Sequence, residues 1–285
     1  MSFVLAGGVA KRINFWGKGR KNMNEQLKIV KEKWNVTADS QWYNSLRTDE
    51  KINELVEHPE TAFHPEVYSL IKKYLPDIKG KKILLPSSGD NHAAFAFAIM
   101  GADVTSADIS ERQLENAAVI AEKLKLNIKF VCDNTMELAN IQDEEYDLVY
   151  TSNGTHTWIT DLNGMYQNIY RVLKKGRYSV MYDIHPFTRP FTCEPWKQPQ
   201  IIKSYNDVFP SCHWRVQDLI NATAMAGLNI KEVAELQAVN ASFWYTYDEL
   251  VKQSLDELTN VNQWELNPMA ALPAWLTIVS QKEKI

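Results

Sequence analysis

Lys82-Ile83-Leu84-Leu85-Pro86-Ser87-Ser88-Gly89-Asp90-Asn91 is the stretch from which the fold can be read. A short apolar run of strand type, 82–86, enters a turn of small residues, and the Ala/Phe-rich segment 91–100 that follows is helical in character. A small-residue turn between strand and helix lets backbone N–H groups approach a ligand at the helix N-terminus. The alternation continues outward. Residues 103–108 read as a strand, and Ser110 is placed to cap a helix to about residue 124, with Glu111 and Glu115 suiting its first turns. Strands are expected at 128–131 and 146–151, a helix over 162–173 stopped by Lys174-Lys175-Gly176, and a strand at 177–184. A helix over 214–226 ending at Gly227 and strands at 228–236 and 274–280 complete the series. The expectation is an α/β fold: a doubly wound, mostly parallel seven-stranded sheet with an antiparallel last strand.

Chemistry gathers at the strand ends. Asp108 closes the second strand nineteen residues after Gly89, where a carboxylate can accept both hydroxyls of a ribose, and Asp133 follows the third strand. Successive strand ends of a parallel sheet line one edge, the crevice where such folds bind ligands. A nicotinamide oxidoreductase would use a similar turn, normally with three glycines, so that a pyrophosphate can approach the backbone. Only Gly89 is present here, with Ser87 and Asn91 on either side, which counts against that reading.

The segments 82–91, 101–110, Phe130-Val131-Cys132-Asp133, Tyr146-Asp147-Leu148-Val149 and 171–176 together resemble the class I S-adenosylmethionine (SAM)-dependent methyltransferases. The resemblance covers residues 77–173 well and the strands up to 281 more loosely. It implies that the turn holds the methionine part of SAM and Asp108 the ribose. Asp133, with Asn134 beside it, would hold the adenine amine, and residues 152–156 would flank the methyl group. The cofactor-facing set so implied is Ser87, Gly89, Asp90, Asn91, Asp108, Ile109, Asp133, Asn134, Ser152, Asn153 and, from the N-terminal helices, Tyr43. The chain departs from the family at Leu85, where an acid is usual, and at Ser87 and Asn91, where glycine is usual. Ser and Asn follow tight turns and Asn tolerates positive φ, so the loop can keep its shape and add side-chain hydrogen bonds. The implied activity is methyl transfer from SAM to a small-molecule acceptor by in-line displacement. A SAM-binding sensor or pseudoenzyme without methyl transfer is the alternative that the thinned glycine set leaves open.

Three regions surround this core. Residues 1–22 carry Lys11, Arg12, Lys18, Arg20 and Lys21 and no acid. Gly19-Arg20-Lys21-Asn22 can be encoded by a purine-rich stretch resembling a ribosome-binding site, so 1–22 is expected to be a non-native extension with Met23 the natural start; a basic amphipathic arm is the alternative. Residues 23–76 read as a helical prelude or lid, with Leu27, Val30 and Trp34, then Trp42, Tyr43 and Leu46, at helical spacing. The methyltransferase domain, 77–285, is interrupted by two aromatic insertions at about 185–213 and 240–272. Long aromatic, Pro-rich segments in a compact domain are usually functional. Trp196, Trp214, Trp244, Tyr245 and Trp264 are therefore candidate walls of a substrate pocket; the alternative is that the insertions bury a small core of their own.

His156, after the fourth strand, and His185, at the end of the fifth, are the candidate catalytic residues, since imidazole titrates near neutral pH and can take an acceptor's proton. His92 either caps the first helix or touches the cofactor, and His64 is a weaker site candidate, while His58 and His213 read as structural or solvent-facing. Cys132 is expected to be buried and inert; with Cys193 and Cys212 it makes neither a disulfide frame nor a metal spacing, which points to a reducing cytoplasm and no bound metal. The formal charge is -4, and -9 without residues 1–22, which argues against nucleic acid as a partner. No apolar run reaches the roughly 18 to 20 residues that a membrane helix needs.

Overall fold

The computed structural model describes residues 23–191, 199–208 and 212–284. Seven strands form one sheet: β1 (Lys82–Pro86), β2 (Asp103–Asp108), β3 (Ile128–Cys132), β4 (Tyr146–Thr151), β5 (Leu173–Ile184), β6 (Leu228–Leu236) and β7 (Trp275–Lys282). Their order is β3-β2-β1-β4-β5-β7-β6. The first five are parallel, and β7 runs antiparallel to both β5 and β6. From β1 the chain winds outward through β2 and β3 on one side and then returns to add β4 and β5 on the other. The strand ends beside β1 and β4 are therefore the switch point at which a doubly wound sheet opens a crevice.

The prelude comprises α1 (Met23–Thr37), α2 (Gln41–Leu46), α3 (Asp49–Glu57) and α4 (Pro65–Tyr74). Between the strands lie α5 (His92–Ile99), α6 (Glu111–Lys123), α7 (Leu162–Val172) and α8 (Val216–Met225), followed by the short α9 (Tyr247–Leu250) and α10 (Leu255–Asn260). One core layer joins the sheet to α3, α4, α5 and α6; the other joins it to α7 and α8. The Ala/Phe composition of α5 now has a cause. Ala93, Ala94, Phe95, Ala96 and Phe97 are all buried, because the sheet covers one side and the prelude the other. Phe63 from the prelude meets Phe97 at 4.9 Å and Tyr150 of β4 at 5.7 Å. The N-terminal helices thus belong to the main core.

Helix α1 is tied to the start of α6. Lys31 pairs with Glu111, and Asn35 Oδ1 accepts from Ser110 Oγ at 2.7 Å and from the Arg112 N–H at 3.2 Å. Ser110 also accepts from Gln113 N, the expected cap. These contacts hold α1 over the C-terminal edge of the sheet.

Two local expectations change. The helix stop at 174–176 is part of β5: α7 ends at Val172, Leu173 pairs with Tyr146, and the register slips before Leu148 pairs with Tyr178. Gly176 takes up the irregularity with φ of +75°. Cys132 is exposed, because β3 is an edge strand and Cys132 is its last residue. Among the described residues no helix is long and apolar enough to cross a membrane, and no group of three or more His, Cys, Asp or Glu is placed to hold a metal ion.

Candidate active site

The turn after β1 keeps the shape of a glycine turn with one glycine. Ser87 and Gly89 both have positive φ, 52° and 50°. At Ser87 that conformation is unfavourable for an L-residue, and its hydroxyl compensates by a 2.6 Å hydrogen bond with Thr135 of the β3–β4 loop. Ser88 Oγ lies 2.5 Å from Ser106 Oγ on β2, and Ser106 in turn donates to the Gly89 carbonyl. Asn91 caps α5 through Oδ1 and donates from Nδ2 to Ser152 Oγ, 2.6 Å away in the loop after β4. Each position where glycine is usual or nearby therefore carries a side chain that ties the turn to a neighbouring strand end. Glycine suits position 89: its φ is +50°, and a Cβ there would crowd Cβ of Gln113 on α6 at 3.1 Å. The usual acid position is filled by Leu85, which is fully enclosed in the core.

Two acids face the turn from below. Asp108 ends β2 and accepts from the Ser110 N–H at 2.8 Å. Burial pushes its carboxyl up to about 7; backbone N–H groups oppose the shift and the charge of Asp90 adds to it. Asp90 is also buried, which raises its pKa even though Arg47, at the end of α2, contacts its Oδ2 through Nε at 2.6 Å. Tyr43 of α2 lies among these groups, its hydroxyl pushed far up by burial and by both carboxylates, while a hydrogen bond with Gln113 opposes the shift.

Above them opens a cavity. Its floor is the strand-end set: the β1 turn, Asp108, Ile109, Asn134, Thr135, Met136 and residues 152–155. Its roof is the prelude, with Leu27, Val30, Trp34, Trp42, Tyr43 and Leu46. Trp158 and Ile159 form the far wall. Trp34 meets Trp158 edge-on at 5.4 Å and Tyr43 at 6.4 Å, and Lys33 Nζ stands 4.1 Å over the Trp158 ring.

Of the eleven residues expected to face the cofactor, ten line this cavity: Ser87, Gly89, Asp90, Asn91, Asp108, Ile109, Asn134, Ser152, Asn153 and Tyr43. Asp133 does not. Its carboxylate is turned into its own loop, accepting from the N–H groups of Asn134, Ala139 and Asn140. The side chains the β3 end presents to the cavity are Asn134, Thr135 and Met136.

The two candidate catalytic histidines are also placed differently. His156 is buried, with Nδ1 2.7 Å from Asp183 Oδ2 and Nε2 3.1 Å from the Tyr166 hydroxyl. Because a carboxylate only accepts, Nδ1 carries the proton and both ring nitrogens are engaged. Asp183 also accepts from the N–H groups of Gly154 and His156, so the pair shapes the loop after β4. Enclosure alone would raise the Asp183 carboxyl; the bonds from His156 outweigh it and hold the group below the usual carboxylate range. His185 accepts from the Phe187 N–H at Nδ1 and donates to Glu235 at Nε2, spanning the ends of β5 and β6. Neither ring lines the cavity.

His92 donates to the Leu46 carbonyl and is held neutral, burial lowering its pKa to about 4; it fastens the prelude to α5 and does not face the cavity. His64 bridges the α4 cap to the Gln237 carbonyl, and His58 is exposed beside Glu60. His213 is not solvent-facing: burial beside two cations lowers its pKa to about 3.

The second insertion forms its own small core from Trp244, Tyr245, Val261, Met269 and Ala270, while Trp264 is exposed. Trp214 packs against the α7–α8 layer and donates to the Ile159 carbonyl. None of these walls the cavity; the aromatic wall is Trp34, Trp42, Tyr43 and Trp158. Trp196 and Cys193 lie outside the described residues. Gln113 was legible in principle, since it lies on the first turns of the helix after Asp108, on the side that faces the turn. Arg47 carried no local signal, because its partner is forty-three residues away.

The family whose description is "Methyltransferase domain" matches residues 86–176. Residues 86–176 thus match a methyltransferase domain, and the chain is similar to the class I, SAM-dependent methyltransferases. Over 123 residues the sequence is 31% identical to an uncharacterized methyltransferase, YbaJ, of Bacillus subtilis (strain 168), covering 43% of this chain and 48% of that relative; the match thus spans about half the relative's length. A solved SAM-dependent methyltransferase from Mesorhizobium loti superposes on the fold with a TM-score of 0.56 at 18% identity, covering 78% of this chain and 98% of the other. Geranyl diphosphate C-methyltransferase from Streptomyces coelicolor A3(2), solved with Mg2+, geranyl diphosphate and S-adenosyl-L-homocysteine, is similar at a TM-score of 0.56 and 11% identity, covering 90% of this chain and 97% of the other. The methyltransferase domain thus coincides with the turn, Asp108 and the loops that build the cavity floor.

Proposed function

We propose that the protein is an enzyme of the cytoplasm that transfers a methyl group from SAM to a small-molecule acceptor. The observation that supports this best is the cavity at the switch point, floored by the β1 turn and Asp108 and roofed by the aromatic prelude. The residues fit SAM. Asp108 is a buried acceptor whose charge is poorly compensated, suited to the two hydroxyls of a ribose. Gly89 leaves a cradle that a Cβ would fill, and Gln113 Oε1 is buried without a hydrogen-bond partner among the described residues. In this reading Ser87, Ser88, Gly89, Asp90 and Asn91 hold the methionine part, Asp108 and Gln113 the ribose, and Ile109, Asn134 and Met136 the adenine.

When bound, SAM would supply an electrophilic methyl group, to which an acceptor bonds in line as the carbon–sulfur bond breaks and S-adenosylhomocysteine leaves. The chain's own contribution is position. Holding two reactants close and aligned can supply roughly 7 to 11 kcal/mol at the upper end. The loop 152–158 does this from a scaffold braced by Asp183 and His156 rather than through a proton-accepting side chain. Trp34, Trp42, Tyr43 and Trp158 line the cavity with apolar rings that exclude water, and electron-rich rings near a sulfonium favour its charge. A lid of helices that encloses the cavity suits a small acceptor.

Calorimetric titration with SAM and S-adenosylhomocysteine (SAH) tests the cofactor assignment; absence of heat at millimolar ligand defeats it. A homocysteine-release screen across small-molecule libraries then separates an enzyme from a SAM sensor, which would bind both ligands and release nothing.

A further inference from the structure

Three basic groups of the 185–213 segment converge behind the cavity wall. Arg189 follows β5 by five residues, and its guanidinium lies deep in the molecule while still touching solvent. Its Nη2 donates to Thr157 Oγ1 at 2.7 Å. Among the described residues it has no ion pair. Among the described residues the carboxylate that acts on it is Asp183, whose two oxygens are already taken by the N–H groups of Gly154, Ile184 and His156 and by the His156 ring. Lys203 is half-buried and close enough to Arg189 for their charges to repel; its Nζ donates to the Asp207 carbonyl, a neutral partner. His213 is a third group, near enough to both cations to feel their charge, and its Nδ1 is buried with no hydrogen-bond partner among the described residues.

Like charges drawn together in a poorly solvated place, with donor capacity left over, call for an anion. The location says which anion. Thr157, which Arg189 holds, lies between Thr155 and Trp158, and both of those line the cavity beside the loop after β4. Arg189 and Thr157 therefore stand behind the loop residues that line the cavity after β4.

We propose that Arg189, Lys203 and His213, with the Thr157 hydroxyl, form a subsite for a phosphate group carried by the methyl acceptor. A guanidinium fork, an ammonium and a ring nitrogen give separate donors to separate oxygens, which suits a tetrahedral, multiply charged group better than a carboxylate. The identity of the carrier as a methyl acceptor rests on the function proposed above; the anion site itself does not.

The test uses the full chain and inorganic phosphate as probe, titrated calorimetrically at fixed ionic strength, with acetate in parallel and SAH in a separate titration. Saturable phosphate binding at millimolar concentration or below is expected, weakened at least tenfold in Arg189→Gln and at least fivefold in Lys203→Met. Lys203 is half-exposed, so Lys203→Met keeps the test meaningful if the deep Arg189 variant fails to fold, as circular dichroism will show. Absence of saturation, equal affinity in Lys203→Met, or acetate binding as tightly as phosphate overturns the subsite. SAH binding without phosphate binding removes the subsite and leaves methyl transfer standing. Phosphate binding without SAH binding does the reverse.

Discussion

Asp108→Asn separates what the site costs the fold from what it offers a ligand. In an unfolded chain an aspartate titrates near 3.9, whereas Asp108 in the folded protein titrates near 7, raised by burial and by Asp90. Between those values the folded state keeps a proton that the unfolded state has lost. Unfolding free energy then falls with rising pH by about 1.4 kcal/mol per unit, and the full penalty of about 4 kcal/mol is in force above pH 7. Asparagine has the same shape, can still accept from the Ser110 N–H, and carries no charge to bury. The variant should be within about 1 kcal/mol of the wild type near pH 4.5 and about 4 kcal/mol the more stable by pH 8, with most of the gain appearing between pH 4.5 and 7. Urea unfolding followed by far-UV circular dichroism at pH 4.5, 6 and 8 measures this directly. Ligand affinity should move the other way. Ribose hydroxyls need the ionised acceptor, which is about nine-tenths populated at pH 8 and about one-tenth at pH 6, so wild-type affinity for SAH should drop about tenfold between them. In Asp108→Asn the affinity should be at least tenfold weaker at pH 8 and flat with pH. A stability difference that does not change with pH, or a wild-type SAH affinity equal at pH 6 and 8, would refute the reasoning.

Three further outcomes follow from the same geometry. Gly89→Ala forces an L-residue into φ of +50° and a methyl 3.1 Å from Gln113 Cβ, so SAH affinity should fall more than tenfold while stability drops by only about 1 kcal/mol; calorimetry and thermal melting read the two effects separately. Asp183→Asn loosens the loop after β4 by weakening the bonds from Gly154 and His156, and should cost about 3 kcal/mol at pH 7. Because the Asp183 carboxyl is held below its ordinary value, its contribution is present above the normal carboxylate range and lost as pH falls, so the gap between wild type and variant should close toward pH 3 in urea titrations. Trp34→Ala removes the ring that joins Trp158 and Tyr43 across the roof; it should weaken SAH binding about tenfold and leave the sheet's melting transition within a few degrees, since Trp34 packs outside both main core layers.

Much of this protein is legible in the linear chain because it is local. The period of β1, the small-residue turn and the Asn91 cap lie within ten residues, and Asp108 announces itself as the acid that ends the next strand. A mostly parallel sheet follows from the alternation of strands with helices, since parallel strands need helical crossovers; the strand order, with β7 set between β5 and β6, does not. Direction of side chains is another matter. Asp133 and Asp108 occupy equivalent places after neighbouring strands, yet one is bonded into its own loop and the other faces the cavity, a choice made by backbone N–H groups six and seven residues downstream. His156 and Asp183 are twenty-seven residues apart and meet only because β4 and β5 are adjacent. The aromatic insertions were ambiguous because rings that wall a pocket and rings that fill a small core have the same composition; Trp244 and Tyr245 took the second role. The cluster at Arg189 is the extreme case: nothing in the spacing of Arg189, Lys203 and His213 marks them as neighbours, and only the fold sets Arg189 against Thr157, thirty-two residues away. Sequence determined the scaffold and the strand ends that form the site; tertiary structure decided which side chains face it, because burial and hydrogen-bond satisfaction are settled between segments and not within them.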